Sequence, residues 1–129
     1  ALDGSRMALK VQVAGTNGVP SGRSAAAVIM NVTVDATTAS AYGGYVTAYP
    51  CDATPPNSSN LNFVSGQTIA NMVVAPLSAS GEVCFYVYGQ AHVLADITGW
   101  VAAGDTMYTA MTPVRFSDTR SGLGPIPGR

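Results

Sequence analysis

Apolar and polar side chains alternate with a period of two along most of this chain, and no stretch carries a capped helical stripe. A strand points successive side chains to opposite faces, so the pattern restricts the chain to half-buried β-structure. Leu9, Val11 and Val13 alternate with Ala8, Lys10 and Gln12 until Gly15-Thr16-Asn17-Gly18 breaks the run. Over residues 25–35, Val28, Met30, Val32 and Val34 share one face, opposite Asn31, Thr33 and Asp35. After Gly43-Gly44, residues Tyr45, Thr47 and Tyr49 alternate with Val46 and Ala48, and a Pro/Asn/Ser loop over 50–60 leads to a short piece at 61–63. Residues 68–77 form a further strand, and Ser78-Ala79-Ser80-Gly81 reads as a hairpin turn into 82–88. Residues 92–101, a Gly104-Asp105 turn and the stretch 108–118 complete the series.

Eight or nine short strands, spaced by roughly 8–14 residues and separated by turn residues, predict an all-β fold. The expected architecture is a two-sheet antiparallel β-sandwich, jelly-roll or immunoglobulin-like. Residues 1–120 form the expected module. Residues 121–129, with two prolines among glycines, favour an extended path and read as a linker or docking arm. A length of 129 residues suits one domain with a real core.

Composition excludes several functions. Charged residues are 10% of the chain, against roughly 25% in an average soluble domain. A net charge of −1 offers no electrostatic footprint for nucleic acid or an anionic membrane surface. No apolar run approaches the roughly 20 residues of a membrane span. A hydrophobic content of 47% argues against disorder. So little charge provides little repulsion between copies, which makes self-association an expected property. The chain opens at Ala1 with neither Met nor a signal peptide, as expected of a processed product or one excised unit.

Cys51 and Cys84 form no C-x-x-C pair, and two thiolates with one His fall short of a tetrahedral zinc set. No metal or cofactor is expected. A structural disulfide closing a loop of roughly 33 residues, worth about 3–4 kcal/mol, is the natural reading. Two unpaired buried thiols are the rival. A disulfide implies an oxidising compartment, hence a secreted or cell-surface protein.

Several longer stretches stand out together: Asn31-Val-Thr-Val34, Gly44-Tyr-Val-Thr-Ala-Tyr-Pro-Cys51, Pro56-Asn-Ser-Ser-Asn-Leu-Asn-Phe63 and Gly66-Gln-Thr-Ile-Ala-Asn71. They continue with Gly81-Glu-Val-Cys84, Ala95-Asp-Ile-Thr-Gly-Trp100 and Thr112-Pro-Val-Arg-Phe-Ser-Asp-Thr-Arg120. Across nearly its whole length the chain resembles a repeat module of secreted actinobacterial surface proteins. The resemblance implies a β-sandwich without catalytic activity, often in tandem or attached to secreted enzymes. Units of that family usually open with the Arg-x-x-Asp-Thr-Arg segment, which here lies at Arg115 to Arg120 near the chain's end. Joining Arg129 to Ala1 restores the family's order, so the chain resembles one period of an array cut at a different phase. Two arrangements follow: the segment 114–129 completes a neighbour's sheet by strand addition, or it folds back into its own sandwich. On this reading Arg115, Phe116, Asp118, Arg120, Pro125, Ile126 and Pro127 form an assembly segment, with Asp118 and the arginines as an ion pair that fixes register.

Enzymatic chemistry has few parts available. His92 and Asp96 fall on one strand face, but residues four apart lie roughly 13 Å apart along a strand, and no Gly-x-Ser-x-Gly elbow is present. Glu82 has no nearby carboxylate partner in sequence, and Asp35, Asp52 and Asp105 lack the spacing of a calcium loop. The expected function is therefore a non-enzymatic extracellular structural module, one unit of a tandem array or head-to-tail filament. Its partners would be neighbouring units. The alternative is a module that binds carbohydrate or attaches to the cell wall, with cell-surface polysaccharide as partner. Trp100 and tyrosines 42, 45, 49, 86, 88 and 108 could supply stacking surfaces, and Asn57, Asn60, Asn62 and Gln67 hydrogen bonds. Trp100, Tyr45, Tyr49, Asn57 and Asn60 are the preferred contacts. Asn31-Val-Thr33 and Asn57-Ser-Ser59 fit the glycosylation sequon, with Asn57 in a loop.

Overall fold

The structure is a computed structural model that describes residues 2–3 and 8–104. Within them lie eight strands: β1 (Leu2–Asp3), β2 (Leu9–Gln12), β3 (Ala25–Thr38), β4 (Gly44–Pro50), β5 (Leu61–Phe63), β6 (Ile69–Pro76), β7 (Glu82–Tyr88) and β8 (Gln90–Ala102). One short 3-10 turn at Gly22–Ser24 precedes β3.

The strands form two four-stranded sheets, ordered β1-β8-β3-β6 and β2-β7-β4-β5, with every recorded pairing antiparallel. First pairs with last, second with seventh, third with sixth and fourth with fifth. That is the order produced by wrapping one long antiparallel ribbon, and pairing of β3 with β8 and β4 with β7 closes the wrap. The two-sheet antiparallel sandwich expected from the alternation is present, and its strand order is that of a jelly roll rather than an immunoglobulin fold.

Alternation decides which residues enter the core. Val28, Met30, Val32 and Val34 of β3 face Val46 and Ala48 of β4, Leu61 and Phe63 of β5, and Val83, Phe85 and Val87 of β7. Phe85 and Met30 are the largest fully buried side chains. The Phe63 ring lies against two backbones: a Cβ built on Gly44 would meet it at 2.4 Å, and one on Gly89 at 3.3 Å. Only glycine gives the ring that slot.

One connection departs from expectation. The turn at 78–81 does not close a hairpin, because β6 and β7 belong to different sheets. Its local bonds are those of a tight turn: the Gly81 N–H donates to the Ser78 carbonyl, and the Ser78 N–H to the Glu82 carbonyl, each at 2.9 Å. Such a turn reverses the chain equally well within a sheet or between sheets.

Cys51 and Cys84 are joined, with their Cα atoms 5.0 Å apart. Cys84 lies on the outer face of β7, and Cys51 directly follows β4, so the bond fastens neighbouring strands of one sheet rather than crossing the sandwich. It also holds the loop over 51–60 against that outer face. Beneath this loop Thr47 is buried and its hydroxyl donates to the Ser58 carbonyl, while the Ala48 N–H donates to Asn60 Oδ1 at 2.8 Å.

Candidate functional site

Two surfaces stand apart from the rest of the sandwich. The first is the edge of β8. Along β3 this strand pairs from Gln90 to Ala102, but β1 covers its other edge only at Gln90 and Ala91. Over residues 92–102 that edge has no strand partner among the described residues.

The side chains along this edge are not those of a solvated surface. Directly opposed residues in an antiparallel pair share a face. Ala95 opposes Val32, Ile97 opposes Met30 and Trp100 opposes Val28, so all three project from the core-facing side. A register shift between Ile29 and Met30 leaves Thr98 as the extra residue of a bulge, and this brings Trp100 onto the same face as Ile97. Ile97 is nevertheless 39% exposed and Trp100 43% exposed. On the facing sheet the adjoining edge is β2, where Leu9 is also exposed. Among the described residues the sandwich is thus open along one lane beside β8, with apolar core-side residues at its margin.

The second surface is a shallow cleft of about 470 Å³ at the end of the β5-β4-β7 sheet. Asn62 opposes Tyr45, and Tyr45 opposes Tyr88, which makes one row across three strands on the outer face. The Tyr45 and Tyr88 rings stack with centroids 5.4 Å apart and an interplanar angle of 17°, and Tyr86 stands 6.0 Å from Tyr45. Burial, followed by the nearby Tyr86 and Tyr88 phenols, pushes the Tyr45 hydroxyl above its ordinary pKa. Tyr42 tops the cleft from a turn in which the Gly43 N–H donates to the Ser40 carbonyl at 2.9 Å. Its side chain is 100% exposed.

The opposite wall is the loop 64–68, pinned by the buried Thr37. The Thr37 hydroxyl oxygen lies 2.8 Å from the carbonyl oxygens of Val64 and Gln67 and accepts the Gln67 N–H at 2.8 Å. The Gln67 side-chain oxygen accepts the Val64 N–H at 3.1 Å, which orients the carboxamide and leaves its NH2 group without a partner among the described residues. Among the described residues, none that lines the cleft carries a formal charge.

Comparison with known families, curated proteins and solved structures gives no match. Function must therefore be read from these two surfaces.

The preferred glycan contacts do not converge. Tyr45 belongs to the cleft, but Trp100 lies on the other sheet. Tyr49 is buried, and burial raises its pKa. Asn60 accepts from the Ala48 N–H through its side chain and from Asn71 Nδ2 through its carbonyl. Asn57 is exposed in the loop over 51–60. From the wider set, Tyr42, Tyr88, Asn62 and Gln67 join Tyr45 in the cleft. Assembly residues Arg115, Phe116, Asp118, Arg120, Pro125, Ile126 and Pro127 lie outside the described residues, as do Asp105 and Tyr108.

His92 lies on β8, four residues before Asp96. It opposes Asp35 across the β3–β8 pair, and Asp35 accepts a hydrogen bond from the Thr68 hydroxyl. That bond, with one from the Ala36 N–H and the nearby His92, lowers the Asp35 pKa. Among the described residues, no three His, Cys, Asp or Glu side chains gather as a metal site.

Proposed function

We propose that this chain is a non-enzymatic structural module that joins copies of itself, or neighbouring repeats, end to end by strand addition. The open lane beside β8 carries the proposal. β1 runs antiparallel to β8 with Leu2 opposite Ala91 and Asp3 opposite Gln90, so residues entering β1 from the preceding unit would lie along 92–102. That lane is about 36 Å long. A neighbouring unit's segment 114–129 is long enough to fill it, and its prolines are tolerated on an edge strand. The added strand would satisfy the backbone of β8 and cover Ile97 and Trp100, which is the physical logic of β-augmentation. A heterologous contact of this kind continues into a filament when its rotation does not close.

The Cys51–Cys84 bond supports an oxidising location, so the proposed site of action is the cell exterior. The resemblance to modules of secreted actinobacterial surface proteins points the same way.

The test is the assembly state of the purified full chain, followed by light scattering and electron microscopy as concentration rises. Concentration-dependent polymers are expected. Ile97→Lys should abolish them, because a charge on the core-side margin of the lane opposes strand addition. A chain that stays monomeric at every concentration, or polymers unchanged after removal of residues 114–129, would overturn the proposal.

A further inference from the structure

The tyrosine cleft has no part in strand addition, since it belongs to the other sheet and faces away from the lane beside β8. Its residues are poor choices for a merely solvated surface. A fully exposed Tyr42 keeps a large apolar ring in water, and the stacked Tyr45–Tyr88 pair lies on the outer face of its sheet, with Tyr45 half-buried. Tyr88 itself is 45% exposed. Beside the rings stand the carboxamides of Asn62 and Gln67. Asn62 is exposed with no recorded side-chain hydrogen bond among the described residues, whereas Gln67 is held in orientation through its oxygen alone.

We propose that this cleft is a binding site for a neutral saccharide, one or two rings of a polysaccharide chain. Three features select that chemistry. A pyranose has an apolar C–H face that packs on an aromatic ring, and Tyr42, Tyr45 and Tyr88 provide such rings around one depression. Its hydroxyls both donate and accept, matching the carboxamides of Asn62 and Gln67 and the phenols, which do the same. The absence of formal charge in the lining leaves nothing to pair with a uronate, a sulfate or a phosphate. The volume of about 470 Å³ lies inside the range of roughly 300–1,000 Å³ usual for small-ligand sites.

The frame around the cleft is rigid where rigidity matters. Thr37 fixes the 64–68 loop by bonds to both its ends, and Phe63 wedges beneath Gly44 and Gly89 to set the floor. The loop wall and the stacked Tyr45–Tyr88 pair are therefore in place before a ligand arrives, which lowers the ordering cost of binding. An extended proline-rich peptide is the competing occupant, since aromatic grooves also accept polyproline helices. The short cleft favours the sugar, because both carboxamides line one depression of about 470 Å³ instead of repeating along a groove.

The experiment titrates cellohexaose, chitohexaose and maltohexaose separately into the full chain and follows backbone amide shifts by NMR. At least one should saturate, with shifts confined to residues around Tyr42, Asn62, Gln67 and Tyr88. Tyr42→Ala, in an exposed turn where folding is not at stake, should weaken binding by about tenfold or more. Trp100→Ala should change it by less than about twofold, and so should a roughly tenfold rise in salt, since no charge is involved. Failure of all three to saturate by about 10 mM would overturn the proposal. Binding that survives both Tyr42→Ala and Tyr88→Ala would also overturn it. So would shifts at these residues produced by a peptide of residues 121–129 but by none of the sugars. None of these outcomes bears on polymer formation, so this site and the β8 lane stand or fall separately.

Discussion

β7 and β8 follow one another in the chain with a single glycine between them, yet they live in opposite environments. β7 lies between β2 and β4, turns Val83, Phe85 and Val87 into the core, and is fastened on its outer face by the Cys51–Cys84 bond. β8 lies beside the long β3, but among the described residues its other neighbour is the two-residue β1, and of its 13 residues only Ala91 is buried. Both alternate and both carry aromatics. The contrast teaches that alternation specifies which face a side chain takes, whereas burial depends on whether a neighbouring strand exists to close the lane.

The sharpest way to break this comparison is to remove one large side chain from each strand. Phe85→Ala should cost about 3–5 kcal/mol in denaturant unfolding, as a cavity in a closed core. Trp100→Ala should cost roughly 1 kcal/mol in the unassembled chain, because its site is already half open. Equal losses would mean that β8 is as closed as β7. Next in size, replacing both Cys51 and Cys84 by Ser should lower stability by about 3–4 kcal/mol through the freed loop, read as a shift in the urea midpoint. Because the bond ties only β4 to β7, polymer formation through β8 should survive in the folded fraction.

Gly44→Ala should cost about 1–3 kcal/mol in the same measurement. Its new methyl would sit 2.4 Å from the Phe63 ring and 2.7 Å from the Tyr88 carbonyl oxygen, so it also displaces the cleft floor. The smallest effect concerns Asp35, at the β8 side of β3. The Thr68 hydroxyl, the Ala36 N–H and His92 hold its pKa below the ordinary aspartate value. A depressed folded-state pKa contributes stability that is present above the unfolded value and lost as pH falls through the folded one. Melting temperature should therefore decline slightly below about pH 4, and Thr68→Val should flatten that decline.

Strands β2 to β8, their faces and the cysteine pair were legible because each rests on local chemistry, whereas the strand expected over 108–118 lies outside the described residues. Val28, Met30, Val32 and Val34 reach the core as their spacing requires. What was not legible depends on distant parts of the chain. The 78–81 turn has the residues of a hairpin, and nothing local reports that it carries the chain from one sheet to the other. Trp100 faces the core side only because of the bulge at Thr98, which belongs to the pairing with β3. Tyr49 resembles Tyr45 in sequence, four residues along on the same face, but the 51–60 loop is held over one end of that face and leaves the other open. Asn60 was an apparent ligand donor, but its side-chain oxygen is already engaged by the Ala48 N–H of β4.

The pairing of β1 with β8 has a mechanical consequence. The first and last strands of the described fold are neighbours, linked through only two opposed residue pairs. In an array pulled along its length, tension entering at one strand can leave through the other without crossing the Phe85–Met30 interior. Strain is then expected to fall on the ladder beside β8, so the joint between units would yield while each unit kept its fold, and a broken thread could rejoin from intact parts.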